Sequence, residues 1–340
     1  MIVLSKMLQG VAVRFSGRKR DMSFTWPGRQ KVDYRQATVC RKISCTGIGL
    51  HTGKKINMTI KPALPDTGIR FVRVDLNSSP MLKAHYDNVV NTMLATSIGY
   101  DEYRVSTVEH LMAAFYSLGI DNAVVELDGP EVPAMDGSAA PFVFLLNDAG
   151  ISLQRAYKKF IVIKRPLLVE DGNRSIAVYP SKELRINYMI DFEHPLLKNQ
   201  KFDLLFSGQN FVGEISTART FGFLKDVQTL KKNGLAHGGS LDNAIVIDEF
   251  RVLNKGGLRF EDEFVRHKIL DFIGDLSLAG VHIIGHFVVE RSGHSLNVSM
   301  LQKLMSTREC WTTVSFKSRH ESVRHRIKIP SFGFADPVAA

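Results

Sequence analysis

Cysteine is scarce in this chain: Cys40, Cys45 and Cys310 are the only three among 340 residues. An odd number cannot all pair, and their spacing fits no zinc knuckle, so the expectation is reduced thiols in the core and a reducing compartment, the cytoplasm by default. Long apolar runs are missing too. Nothing approaches the roughly eighteen residues a membrane span needs, and the opening "MIVLSKMLQGVAVRF" is interrupted by Lys6 and Gln9. A soluble protein is expected. There is no HExxH, which removes the common zinc-protease signature. The stretch "TGIGLHTGKK" resembles a phosphate loop but has five residues between Gly47 and Gly53 where four are needed, and Lys55 stands where Ser or Thr belongs.

Positive charge, by contrast, is in excess. The chain carries 44 Lys and Arg against 34 Asp and Glu, a net charge of +10, which favours anionic partners such as phosphorylated ligands, acidic lipid surfaces or nucleic acid. Part of the excess lies near the ends, in "GRKR" (17–20) and "KSRHESVRHRIKI" (317–329). Neither is interleaved with aromatics as a single-strand binder would be, so solvated tails are the expectation. Residues 1–37 read as a loosely ordered basic leader, with Met22 an alternative start, and residues 321–340 as a C-terminal tail. The length of what lies between suggests two domains or one large one.

Short alternating segments with Gly and Pro punctuation, "KINMTIKP" and "GIRFVRVDL", predict antiparallel strands. "STVEHLMAAFYSLGI" predicts a helix ending at Gly119, "DNAVVELDG" a strand, and "MDGSAAPFVFLLNDAGI" a turn and a helix closing at Gly150. The plan then repeats: strands at "KFIVIKRPLLVED", "RSIAVYP" and "LRINYMIDF", a helix over 263–279, a strand at "HIIGHFVVE", a turn at "RSGH" and a helix from Ser295. Laid over "DFIGDLSLAGV" (271–281), "HLMAAFYSLGI" (110–120) aligns Leu118-Gly119 with Ala279-Gly280 and His110 with Asp271. A duplication would set two similar α+β units face to face, although any two amphipathic helices can be slid into register.

On the helix "EFVRHKILDFIGD", His267, Asp271 and Asp275 are spaced four apart and project in one stripe. His267 and Asp271 could share a metal ion; the plainer reading is a solvated polar stripe. If the duplication holds, His110 joins them, giving a His, His, Asp set with one position open, the arrangement of a hydrolytic metal site. Glu109 beside it could be a general base, or merely close a capping box with Ser106. His294 could protonate a leaving group with Asp275 fixing its tautomer, and Lys268 could meet a phosphate; either could equally be an ordinary surface residue.

The strings "STVEHL", "GIDNAVVELDGPEVPAMDGSAAPFV", "ARTFGF", "GLRFEDEFVRHKILDFIGDL" and "SGHSLN" together resemble the UDP-3-O-acyl-N-acetylglucosamine deacetylases, zinc amidases of lipid A biosynthesis. The resemblance spans about residues 38–305. It implies zinc ligands at His110, His267 and Asp271, a general base at Glu109, a charged or acid-acting histidine at His294 with Asp275 as its partner, and an oxyanion hydroxyl at Thr220. It further implies Lys268 near the substrate diphosphate, Phe221 as an aromatic wall under the sugar, and Arg174 as a phosphate contact, although Arg174 stands where the family is expected to carry lysine. Iron(II) would suit the same N2O donor set. The implied fold is α+β, a two-domain duplicated sandwich with helices packed between two sheets and a small insertion in each domain. The domains would span 38–155 and 156–320, with an insertion at about 222–257 forming an apolar passage for the acyl chain. In that insertion Leu224, Val227, Leu230 and Leu235 fall at near-helical spacing, which by itself reads as core packing. The implied partner is a UDP-linked acylated amino sugar, with transient association with a membrane surface and no nucleic acid. Two rivals remain: another metal-dependent hydrolase or deaminase acting on a nucleotide-linked substrate, and a non-catalytic nucleic-acid-binding protein.

Overall fold

The computed structural model describes residues 34–77 and 80–332. The first unit runs β1 (Arg35–Val39), β2 (Ile43–Ile48), β3 (Lys55–Pro62), β4 (Ile69–Arg73), β5 (Leu82–Lys83), β6 (Val89–Asn91), β7 (Ser97–Ile98), α1 (Glu109–Leu118), β8 (Ala123–Leu127), α2 (Ala140–Ala149) and β9 (Ile151–Tyr157). The second begins with β10 (Lys159–Ile163), β11 (Leu167–Asp171), β12 (Arg174–Tyr179), β13 (Arg185–Ile190), β14 (Gln200–Leu205) and a single turn α3 (Gly208–Asn210). It continues through β15 (Phe221–Phe223), α4 (Leu224–Lys232), β16 (Ile245–Ile247), α5 (Glu263–Leu276), β17 (His282–Ile284), β18 (His286–Glu290), α6 (His294–Ser306), β19 (Trp311–Ser315) and α7 (Arg319–Arg324).

Strand pairing shows the duplication that periodicity left open. One five-stranded sheet has the order β2-β3-β8-β4-β5 and the other β11-β12-β18-β13-β14. In each, the third and fourth strands of that order are parallel and every other neighbour pair is antiparallel. The smaller sheets correspond as well: β1 pairs antiparallel with β9 and bridges in parallel to Asn122, while β10 pairs antiparallel with β19 and parallel with β17. The helices α1 and α5 occupy equivalent places before the inner parallel strand, and each run of helix ends on a left-handed glycine, Gly119 at φ 66° and Gly280 at φ 71°. The α+β class and the duplicated plan expected from the sequence are therefore what the chain adopts.

Alternating burial along β3, β4 and β8 turns one sheet face inward. The helices fill the space between the sheets: α1 lies along α5, α5 covers β13 and β14, α6 covers β11 and β12, and α2 touches β2. The helices α1 and α5 come close at Gly274. A Cβ there would lie 2.2 Å from the Glu109 carbonyl oxygen, so only glycine lets the two backbones meet. One apolar core runs through both units.

Several local expectations are corrected. "HIIGHFVVE" is not one strand: it breaks at Gly285, because its halves pair with β10 in one sheet and with β12 and β13 in another. "KFIVIKRPLLVED" divides in the same way into β10 and β11. The leader does not extend to residue 37, since β1 begins at Arg35 and both Tyr34 and Ala37 are buried; residues 1–33, with Met22, lie outside the described residues. The basic stretch at 317–329 is not a solvated tail. It forms α7, and Ile329 and Phe332 are buried in a second apolar cluster with Tyr34, Phe160 and Phe316. Cys40 is exposed, so only Cys45 and Cys310 are core thiols, and none of the three is in a disulfide. Burial pushes the Cys45 thiol up to about 12.

Phe332 anchors this C-terminal segment. Its ring lies 4.6 Å from that of His282, and the buried Lys158 ammonium sits 5.1 Å from its centroid. Truncation by Phe332→Ala is expected to cost about 3–5 kcal/mol in a denaturant titration; a loss below about 1 kcal/mol would show that the segment is only loosely held.

Candidate metal centre and its surroundings

The stripe on α5 faces inward. His267, Asp271 and Asp275 are all buried, which removes the reading of a solvated helix face. The duplication brings α1 against α5, and His110 Nε2 comes within 3.5 Å of Asp271 Oδ1, while His267 Nε2 lies 3.3 Å from the same oxygen. The two imidazole rings stand 5.0 Å apart and nearly perpendicular. Ligand atoms of His110, His267 and Asp271 all fall within 4.8 Å of one another, the one such cluster among the described residues.

This donor set fits a divalent cation. Asp271 Oδ1 is buried without a hydrogen-bond partner although two ring nitrogens face it, a costly arrangement unless a cation completes it. His267 Nδ1 lies 3.1 Å from the Ala218 carbonyl oxygen. That bond makes Nδ1 the donor and leaves the Nε2 lone pair directed at Asp271. Burial lowers the His267 pKa to about 4, so the ring is neutral near pH 7, as a ligand must be. Burial works against the Asp271 charge, but the surrounding imidazoles and the Lys268 ammonium outweigh it and hold its pKa well below the ordinary range. Lys268 Nζ donates to Asp271 Oδ2 at 2.7 Å, so Lys268 is not a freely solvated lysine.

Glu109 is the first residue of α1, buried, and it does not close a capping box. Its Oε2 accepts from the Thr96 backbone N–H at 3.1 Å, the Ser106 hydroxyl is bonded to Ser97, and the helix start has no side-chain cap. Its Oε1 faces His294 Nε2 at 3.8 Å. Burial raises the Glu109 pKa, partly offset by the neighbouring His294 imidazolium. His294 is not in a turn but is the first residue of α6, after the N-cap Gly293. Its Nδ1 is 2.9 Å from Asp275 Oδ2, and its Nε2 is 3.9 Å from Asp271 Oδ2. Burial opposes its charge, yet Asp275, Glu109 and Asp271 raise its pKa to about 9.

The remaining expected residues divide. Phe221 packs edge-on to Phe264 at 5.0 Å and to the His267 ring at 6.2 Å, so it does border the cluster. Thr220 precedes it, half-buried, its backbone N–H bonded to the Gly137 carbonyl at 2.8 Å. Arg174 is not part of the cluster; it pairs with Asp171 at the exposed end of the β11–β12 hairpin. The stripe on α4 is not core either. Leu224 is exposed, Val227, Leu230 and Leu235 are only half-buried, and no residue of α4 is buried.

Two side chains escaped the sequence reading. Thr96, fully buried, donates from Oγ1 to Asp275 Oδ1 at 2.5 Å while its backbone holds Glu109. Asn297 donates to Asp275 Oδ2 at 2.8 Å and accepts from Ser292. Asn297 lies three residues after His294 on one helix face, a spacing visible in "SGHSLN"; Thr96 sits in a loop with no pattern to betray it.

The family model described as "LpxC: UDP-3-O-acyl N-acetylglycosamine deacetylase" matches residues 36–306. The chain belongs to this deacetylase family. Proteins named UDP-3-O-acyl-N-acetylglucosamine deacetylase resemble it along most of their length. That of Geobacter sp. (strain M21) is 48% identical, covering 88% of this chain and 99% of its own. That of Myxococcus xanthus (strain DK1622) is 52% identical, covering 84% and 91%, and that of Histophilus somni (strain 129Pt) is 49% identical, covering 84% and 95%. Membership makes the chain one of a metal-dependent family of hydrolases, and the buried triad is where such a metal fits. Among the described residues no helix is long and apolar enough to cross a membrane.

Proposed function

We propose that the chain hydrolyses the N-acetyl group of UDP-3-O-acyl-N-acetylglucosamine, releasing acetate and UDP-3-O-acyl-glucosamine, an early committed step of lipid A biosynthesis. The observation that carries this reading is the convergence of His110, His267 and Asp271 around one unpartnered carboxylate oxygen, with Glu109 and His294 facing each other beside it. Zinc is the metal proposed, with iron(II) compatible with the same donors. When bound, the cation supplies a water acidic enough to act near pH 7 and polarises the acetamide carbonyl.

The chain's own groups would do the rest. Glu109 takes the water's proton through its buried carboxylate, which faces His294. The Thr220 hydroxyl donates to the carbonyl oxygen as charge develops there. His294, its Nδ1–H committed to Asp275, presents Nε2–H towards Glu109 and gives a proton to the departing amine. Lys268 retains donors beyond its bond to Asp271 for the diphosphate side of the substrate. Phe221 lies under the sugar, and the half-buried side of α4 borders the acyl chain. Arg174, on its exposed hairpin, is left as a peripheral phosphate contact. The excess positive charge agrees with a diphosphate substrate. The proposal also places the protein in the cytoplasm with transient contact to a membrane surface and no nucleic-acid partner, and three unpaired cysteines agree with a reducing compartment.

Acetate release from UDP-3-O-acyl-N-acetylglucosamine tests the assignment. Activity is expected to vanish with a chelator and return with zinc or iron(II). A metal-loaded protein that releases no acetate would transfer the site to another hydrolase or a deaminase. His294 must be protonated, so kcat is expected to fall as pH rises through about 9, or lower because the cation's charge opposes the shift. The acid limb is set by Glu109, whose pKa burial raises and the cation's charge lowers. An unchanged alkaline limb in His294→Asn would remove His294 as the acid.

A further inference from the structure

The ion pair formed by Arg219 and Glu263 is almost completely buried, and the mechanism above makes no use of it. Glu263 opens α5, one turn before His267. Its Oε1 accepts from the Arg219 backbone N–H at 3.0 Å and from Arg219 Nε at 2.8 Å; its Oε2 accepts from Arg219 Nη2 at 3.0 Å and from the Arg259 backbone N–H at 2.6 Å. Four donors therefore converge on one carboxylate. Solubility does not call for a charge with no exposure, and burying one is costly unless its geometry serves something.

The segment it grips supplies the site. Residues 217–220 are fixed one after another: the Thr217 carbonyl accepts from Arg259 Nη1 at 2.7 Å, and the Ala218 carbonyl meets His267 Nδ1 at 3.1 Å. The Arg219 N–H goes to Glu263, and the Thr220 N–H donates to Gly137 at 2.8 Å. Arg259 also pairs with Asp136 at 2.9 Å, in the turn that carries Gly137, so the clamp ties the first unit to the second.

We propose that Glu263, with Arg219 and Arg259, is a positioning clamp: by holding the backbone at residue 219 it sets both the Ala218 carbonyl that orients His267 and the height of the Thr220 hydroxyl. The inference rests on the metal-site reading above. Glutamine cannot replace Glu263 here. Its NH2 would face donors in either orientation, leaving two of the four without an acceptor.

The test is Glu263→Gln, read first by metal affinity in a chelator competition that needs no substrate. Loss of the bond behind a ligating histidine is expected to weaken binding by about 10–100-fold. A kcat loss of about tenfold or more with KM little changed is expected alongside, because Thr220 acts only as charge develops. Glu263→Gln added to Thr220→Val should then cost less than the product of the single effects, whereas a merely structural defect multiplies through. Metal affinity and kcat within about twofold of wild type, or fully multiplicative effects, overturn the clamp. Should Glu263→Gln not fold, Arg259→Met severs only the Thr217 and Asp136 links. A smaller loss of metal affinity in the same direction supports the proposal, and wild-type affinity overturns it. A wild-type protein that binds metal but releases no acetate would defeat the deacetylase reading while leaving the affinity comparison valid.

Discussion

Glu109→Gln is expected to lower kcat by about 10²–10⁴-fold, the range for losing a positioned general base, while metal content and unfolding midpoint stay near wild type. The side chain keeps its shape, and the amide oxygen can still accept from Thr96 N–H, so the fold loses little. What disappears is the proton acceptor facing His294. A capping role makes the opposite forecast, near-normal turnover with about 1 kcal/mol of lost stability. The structure has already removed the basis for that alternative, since the Ser106 hydroxyl is occupied by Ser97 and α1 starts without a side-chain cap. Turnover within a few-fold of wild type in this variant would require another base, and neither neighbouring carboxylate fits: Asp271 is turned to the His110 and His267 imidazoles and bonded to Lys268, and Asp275 is held by Thr96, His294 and Asn297.

Gly274→Ala is the second large effect, and its sign is the informative part. Glycine inside a helix is ordinarily worse than alanine by about 1 kcal/mol, so a helix considered alone would be strengthened. Here the added Cβ would meet Glu109 backbone atoms at 2.2, 2.7 and 2.9 Å, and backbone cannot swing aside. The helices α1 and α5 must separate, at an overpacking cost of about 1–3 kcal/mol. Because His110 and Glu109 ride on one helix and His267 and Asp271 on the other, separation opens the metal site as well. A displacement near 1 Å is expected to cost about 10²-fold in kcat. Chemical denaturation and acetate release measure the two losses together; a Gly274→Ala protein as stable as wild type would mean that the helices approach less closely than described.

Much of the site could be read along the chain. His267, Asp271 and Asp275 share a helix face by spacing alone, and the match of His110 to Asp271 followed from sliding one helix pattern over the other. Periodicity could not say which way that face points, because a polar stripe is compatible with solvent or with a buried ion. Thr96 was invisible for a related reason. It reaches Asp275 across 179 positions of sequence, and no local rule links a loop threonine to a distant carboxylate. Arg174 differs again: at a hairpin end it pairs with an acidic neighbour in its own turn, and its place outside the buried cluster could not be read from a local pattern. The α4 stripe had helical spacing, but that spacing leaves its apolar residues exposed or half-buried and none fully buried.

Residue order alone settled most of the alternation of strands and helices, the glycine stops at 119, 150 and 280, and the chemical types available to a metal, because each depends on contacts within a turn or a strand; the repeated plan needed the strand pairing of both sheets. Tertiary structure decided that two repeats face each other through Gly274, that Asp271 Oδ1 is left without a proton donor between two imidazoles, and that His294 is held charged by three carboxylates. Those outcomes depend on burial and on distances between groups far apart in the chain, and both exist only once the two helices have packed.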